Sequence, residues 1–256
     1  MALTRKIRRK NKNKTLVLFC FHKYIQRVKD FVENAVFPDK NVDFLFISND
    51  KKVNVSLPSY VKLIKRDNVG YDFGAWSDGL LTDNLYKKYN NFIFVNSSVS
   101  GPFLPEKYEG KWTDIYLDGL KNNVKLFGST INTIRDPLHR SHVQSYIFCL
   151  DKETLEHLIL CGIFSKTNYA KSFVEAVYDK EVLMSRKIIE KGWNIGSLLP
   201  LYDGVDFTFK NKHPKDYDIR FMGDVMFDKY MDKLWKKTDL VFVKGNRIEC
   251  HVDCKL

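Results

Sequence analysis

The chain has 256 residues, 44% of them hydrophobic and 14% aromatic, which is enough to bury a sizeable core and excludes a disordered or fibrous protein. Its 42 Lys and Arg against 31 Asp and Glu leave a formal net charge of +11. No run approaches the roughly 18 consecutive apolar residues of a membrane-spanning helix, so no transmembrane segment is expected.

The excess charge gathers at the start, where Arg5-Lys6-Ile7-Arg8-Arg9-Lys10-Asn11-Lys12-Asn13-Lys14 holds seven positive charges and no acid. Like charges repel and nothing apolar accompanies them, so residues 1–14 read as a solvated, disordered arm. Such an arm can also meet an anionic surface, nucleic acid or membrane, through residues 5–14. The apolar run Leu16 to Phe21 that follows is too short for a signal peptide and lacks a small-residue cleavage site.

Thr15 to Phe21 reads as a buried central strand, and His22 to Phe37 as a helix with Ile25, Val28, Phe31, Val32 and Val36 on one face, ended by Pro38. Val42 to Ile47 and Val61 to Ile64 are two further strands. Ala75 to Tyr89 is expected to be helical, and Phe92 to Val95 is a fourth strand. This succession demands crossovers and a mostly parallel sheet. Val124 to Gly128 and Ser145 to Leu150 add strands, Leu155 to Cys161 and Asp179 to Lys191 add helices, and Gly192 closes the last of these. From Leu198 the signals weaken to short segments and turns that wrap the core. Residues 15–256 are therefore expected to be one α/β domain, with a nucleotide-binding half at 15–100 and an acceptor and catalytic half at 101–256.

Cys20, Cys149, Cys161, Cys250 and Cys254 are odd in number and irregularly spaced, and three lie in apolar segments. Buried thiols in a reducing compartment fit best, hence a cytoplasmic protein, at most peripheral to a membrane. Cys250-x3-Cys254 with His251 lacks the second half of a four-ligand zinc site.

Two loops carry the chemistry. Asn68-Val69-Gly70-Tyr71-Asp72-Phe73-Gly74-Ala75-Trp76 leads into a helix, and Asn96-Ser97-Ser98 follows an apolar strand; open α/β sheets bind ligands at such places. Gly70 and Gly74 permit positive φ or close backbone approach, and a helix start suits a phosphate, or a ribose hydroxyl held by Asp72. The residues equally allow Asp72 to be a plain helix cap, with Phe73 and Trp76 in the core. Asn96-Ser97-Ser98 occupies the place of the acidic metal-binding triplet of sugar-nucleotide transferases, yet it has no acid, and amide and hydroxyl oxygens attract Mg2+ or Mn2+ far less than carboxylates do.

The pair NxGYDFGAW and FVNSSVSGPFLP resembles a group of GT-A glycosyltransferase-like proteins related to the rhamnan-synthesis F family. The likeness continues in Phe127-Gly128-Ser129-Thr130-Ile131-Asn132, in His142-Val143-Gln144-Ser145, and in Glu181-x3-Ser185-Arg186-x-Ile188-x3-Gly192-Trp193-x-Ile195, covering roughly residues 15 to 200. It implies a GT-A-like, Rossmann-like sheet flanked by helices in a single domain. It implies also a nucleotide-diphosphate sugar donor at Asn68, Gly70, Asp72, Phe73 and Gly74. The diphosphate, with a divalent cation (Mn2+ or Mg2+) at Asn96 and Ser98, would lie along Asn96, Ser97 and Ser98. Glu181 is the candidate general base toward a hydroxyl of a glycan acceptor, with Asp114 an alternative carboxylate. His142, Gln144 and Arg135 are candidates for acceptor or phosphate contact; Arg135 and Arg140 could offset leaving-group charge, and His139, His142 and His213 could each touch a phosphate or a metal, although a histidine beside a turn is more often structural. No G-x-x-x-x-G-K-[ST] or G-x-S-x-G element is present, so P-loop and serine-hydrolase chemistry lack their loops. A rival reading is a non-catalytic protein of the same fold, holding nucleic acid or an anionic membrane through its basic arm.

Overall fold

The computed structural model describes residues 14–134, 140–211 and 222–248. The arm as far as residue 13, together with Arg135, His139, His213, Cys250 and Cys254, lies outside the described residues.

Strand β1 (Thr15–Phe21) is buried along its whole length, as its unbroken apolar sequence requires of a strand covered on both faces. Helix α1 (Gln26–Ala35) returns the chain to β2 (Val42–Ser48), and β3 (Lys62–Lys65) follows. Helix α2 (Tyr71–Leu81) leads to β4 (Asn91–Asn96) and the short β5 (Val99–Ser100). After α3 (Trp112–Asp118) come β6 (Val124–Gly128), β7 (Ile131–Asn132), β8 (His142–Val143) and β9 (Ile147–Asp151), then α4 (Lys152–Leu160). A helical stretch over 173–190 opens as α5 (Phe173–Glu175), widens to a π-helix (Ala176–Val182) and ends as α6 (Leu183–Glu190). Strand β10 (Asn194–Ser197), helix α7 (Lys237–Leu240) and strand β11 (Val243–Lys244) complete the regular elements that the argument needs.

The main sheet has seven strands in the order β10-β6-β9-β4-β1-β2-β3. All neighbours are parallel except β9, which runs against both β4 and β6. The molecule is thus a single α/β domain with a mostly parallel sheet between helices, consistent with a GT-A-like fold. Aromatic side chains fill both faces. On one, Phe19 stacks on Phe31 at 4.3 Å and Trp112 meets Phe242 edge-on at 5.0 Å. On the other, Phe94 stacks on Phe148 at 4.7 Å with Trp76 edge-on to both. Such ring pairs contribute about 0.5–1.5 kcal/mol each beyond their buried area.

Several elements differ from the sequence reading; the short strands β5, β7, β8, β10 and β11 are absent from it, and three helices show why ends moved. Helix α1 starts at Gln26, because His22 leaves the strand to pair its Nδ1 with the Asn49 carbonyl and the Ile25 carbonyl accepts the first helical N–H bonds. Helix α2 starts at Tyr71 and stops at Leu81, where Asp83 and Asn84 take left-handed φ values of 53° and 52° that short polar side chains tolerate. The last long helix begins at Phe173 rather than Asp179, its π segment having blurred the 3.6-residue spacing.

From β1 the chain builds β2 and β3 to one side, then returns with β4 on the other. A crevice therefore opens between the carboxyl ends of β1 and β4, where Cys20 and Asn96 face each other in register. The C-terminal stretch lies against this crevice. The Leu240 carbonyl accepts hydrogen bonds from Tyr116 and Ser129 hydroxyls at 3.2 and 3.0 Å, and β11 pairs antiparallel with β5, Lys244 opposite Val99.

Candidate active site

Asp72 occupies the first turn of α2 but does not cap it. Its carboxylate turns to the crevice, where Oδ2 accepts a hydrogen bond from Asn96 Nδ2 at 2.8 Å and Oδ1 accepts the Cys20 thiol at 3.3 Å. The plain-cap alternative is thereby overturned. Asn96 Oδ1 in turn accepts the Ser98 backbone N–H at 3.0 Å and its hydroxyl at 2.5 Å. The two sequence motifs, more than twenty residues apart, are one hydrogen-bonded unit. Ser97 flanks it, its carbonyl facing Arg27 Nε at 3.5 Å.

Backbone geometry explains this placement. Gly70 has φ +76°, and a Cβ there would stand 2.8 Å from the Tyr169 ring; Gly74 sits against the Val69 carbonyl, which a Cβ would approach to 2.4 Å. Arg66 locks the loop from beneath, donating to Asp78 at 2.6 Å, to Asn49 and to the Val69 carbonyl at 2.8 Å. Asn68, Gly70 and the exposed Tyr71 line a cleft of about 550 Å3 closed on its far side by Thr167 to Lys171. Phe73 takes no part in it: its ring is buried against Trp76, Phe148 and Phe164, so its expected role at the nucleotide gives way to packing.

Glu181 reaches the same region from the π segment, well beyond the first turn of its helix. Its Oε1 lies 3.2 Å from His142 Nε2, and its Oε2 accepts both the Ser145 N–H, at 2.9 Å, and the Ser145 hydroxyl. A carboxylate has about four lone-pair sites, so three donors leave Glu181 one open position. His142 is almost fully buried, and its Nδ1 faces the Arg140 carbonyl at 2.6 Å. Lys180, the preceding residue, is buried too and donates to the carbonyls of Gly162 and Ile163 at 2.8 and 3.1 Å.

The charges in this cluster work on one another. Burial raises the Asp72 pKa and the nearby negative charge of Glu181 raises it further, while the Cys20 and Asn96 hydrogen bonds and the charge of Lys244 pull it back. Burial alone would raise Glu181, but the hydrogen bond and charge of His142, with the Ser145 bonds, hold it below its usual value. Burial alone would lower His142, yet the same partner keeps it above its own. The thiol of Cys20 is pushed well up, first by burial and then by Asp72, and stays protonated as a donor.

Other expected site residues fall elsewhere. Asp114 lies at the opposite, amino end of these strands: it accepts the Lys111 N–H at the start of α3 and lines a pocket with Thr15, Val42 and Asn91, the first residues of β1, β2 and of β4. A seven-residue strand is about 20 Å long, so Asp114 and Asp72 stand at different ends of the molecule. Gln144 is buried, bracing β7 and β8 by accepting the Thr130 hydroxyl at 2.7 Å. Among the described residues no three of His, Cys, Asp and Glu come together as a metal cage, and no helix is long and apolar enough to cross a membrane.

The model of one protein family, rhamnan synthesis protein F, matches residues 44–241. The chain belongs to that family. The match takes in both loops of the crevice, Glu181, His142 and most of the C-terminal stretch, and it places the chain in a family of polysaccharide synthesis. No curated protein matches the chain.

Sequence reasoning missed four contributors. Cys20 read only as a buried thiol, and Ser145 as the prelude to a strand. Asp224, whose charge bears on His142, and Lys244, whose charge bears on Asp72, come from the stretch with the weakest signals. The apolar run Leu240 to Val243 followed by Lys244-Gly245 was the one available clue, a short strand ending in a cation.

Proposed function

We propose that the protein is a glycosyltransferase that moves a sugar from a nucleotide-diphosphate sugar to a hydroxyl of a glycan acceptor. The observation that carries this reading is the Asn96 to Asp72 hydrogen bond, which joins two strand-end loops across the switch point of an α/β sheet in a chain of the rhamnan synthesis protein F family. Asp72 has lone pairs left after its two bonds, for a ribose hydroxyl or the donor's diphosphate region. Glu181, oriented by His142 and Ser145, is the carboxylate for the acceptor hydroxyl. Its lowered pKa suits proton uptake only as the new sugar–oxygen bond forms and acidifies that hydroxyl.

The chemistry of the donor set limits a cation. Asn96 Oδ1 is already filled by Ser98, so Asp72 alone among the motif side chains offers a carboxylate. Mn2+ or Mg2+ fits here only when held jointly by Asp72 and the donor's own phosphates, where it would supply positive charge to the leaving group.

Calorimetry with nucleoside diphosphates and their sugars, with and without Mn2+, tests the reading. Asp72→Asn is expected to weaken donor binding roughly 10- to 100-fold, the worth of a hydrogen bond to a charged group. Wild-type protein that binds no nucleoside diphosphate in this survey would refute the proposal.

A further inference from the structure

A diphosphate entering the crevice brings negative charge beside two carboxylates, Asp72 and Glu181, whose fields already reach each other. A loop without acids recruits little metal, so the protein must find positive charge elsewhere. Among the described residues the cations near the crevice can be taken in turn. Arg27 turns its Nε to the Ser97 carbonyl at 3.5 Å. Arg66 is buried and committed to Asp78, Asn49 and the Val69 carbonyl. Arg247 forms an ion pair with Asp224, and Lys180 is turned to the Gly162 and Ile163 carbonyls. His142 is bound to Glu181.

Lys244 differs from all of these. No carboxylate among the described residues forms an ion pair with it, and it is only partly buried. The pairing of β11 with β5 sets it opposite Val99, the residue that follows Ser98. Directly opposed residues of an antiparallel pair stand about 5 Å apart, so the ammonium stem begins beside the acid-free loop. Its charge also registers on Asp72.

We infer that Lys244 is the cation that binds the diphosphate of the donor and takes up the charge released as the sugar departs, in the place where related folds use an acid-held metal. The inference rests on the nucleotide-sugar reading above and adds to it the group that discriminates a diphosphate from a monophosphate. A lysine ammonium carries three donors for phosphate oxygens and needs no second ligand.

The test is calorimetry in EDTA with UDP, GDP, CDP, ADP and dTDP and with the matching monophosphates, on wild type, Lys244→Met and Lys244→Arg. Met keeps the apolar stem, and an unchanged monophosphate affinity reports an intact fold; Lys244→Gln serves in its place should the Met variant not fold. Wild type is expected to prefer one diphosphate over its monophosphate by about tenfold or more, a charge-assisted bond being worth that much. Lys244→Met should erase the preference and leave the monophosphate affinity alone, and Lys244→Arg should restore most of it. A preference that survives in Lys244→Met overturns the inference. So does a wild-type preference that appears only when Mg2+ or Mn2+ replaces EDTA. Wild type that binds no nucleoside diphosphate under either condition overturns the underlying reading as well, and so separates the two failures.

Discussion

Asp72 and Glu181 are both buried and are driven apart, Asp72 upward by burial and the nearby charge of Glu181, Glu181 downward by its bonds to His142 and Ser145. The Glu181 and His142 pair has a consequence for stability against pH. Glu181 is lowered from 4.5, so its contribution is present above that value and is lost as pH falls through its folded pKa. His142 is raised from 6.5, so its contribution is complete below that value and is lost as pH rises through its folded pKa. Both are complete only between 4.5 and 6.5. His142→Gln should therefore cost about 1–3 kcal/mol near pH 5.5 and distinctly less near pH 9, read from urea midpoints. An equal loss at both pH values would show that the pair acts by shape rather than charge. For Glu181→Gln we expect kcat to fall by roughly 10²- to 10⁴-fold while nucleoside-diphosphate affinity holds, a split that Asp72→Asn should not show. Asp72 and Asn96 could be singled out in the sequence by their two loops, one at a helix start and one after an apolar strand, but that they bond to each other could not. Ser145 and Cys20 were not singled out, since each acts through a partner that only folding supplies.

At the level of elements, strands proved easier to read than helices. Thr15–Phe21 and Val124–Gly128 appear where apolar runs placed them, whereas helix ends moved by several residues where side chains intervened. Direction was not legible: nothing in Ile147 to Asp151 states that β9 runs against its neighbours, because an antiparallel strand buried on both faces reads the same as a parallel one. The start of α2 is fixed by Gly70, so Gly70→Ala should destabilise the protein by about 1–3 kcal/mol through its left-handed φ and the Tyr169 ring, and should weaken donor binding along with it. Thermal melts with and without nucleoside diphosphate check both effects. The π segment sends two adjacent side chains to different tasks, Glu181 to the crevice and Lys180 to the loop at Gly162. Lys180→Met should leave the Ile163 carbonyl without its side-chain donor and the Gly162 carbonyl with only the long bond from Asn168, and speed hydrogen exchange in residues 162–172, with little change at β1 or β4.

For the whole molecule, the four parallel strands that border the crevice come from the first hundred residues, and the sequence disclosed that part well. The remainder was obscure because its contribution is tertiary: short pieces such as β11 have no pattern of their own and gain meaning from the strand they join. A ligand bound across the crevice stabilises all of these pieces together. A nucleoside diphosphate at about 100 times its Kd should add about 2.7 kcal/mol, a rise in Tm of roughly 5–10 °C for a domain of this size, measured by differential scanning calorimetry. A smaller rise in Lys244→Met at the same concentration would follow from its weaker binding.

The junction of β5 with β11 spans most of the chain, joining Val99 and Ser100 to Lys244 and Val243. Synthesis proceeds from the N-terminus, so the ribosome releases Asp72, Asn96 and Glu181 well before it makes the lysine that completes their surroundings. If Lys244 acts as inferred, a chain ended before residue 243 would lack both β11 and the cation beside the acid-free loop.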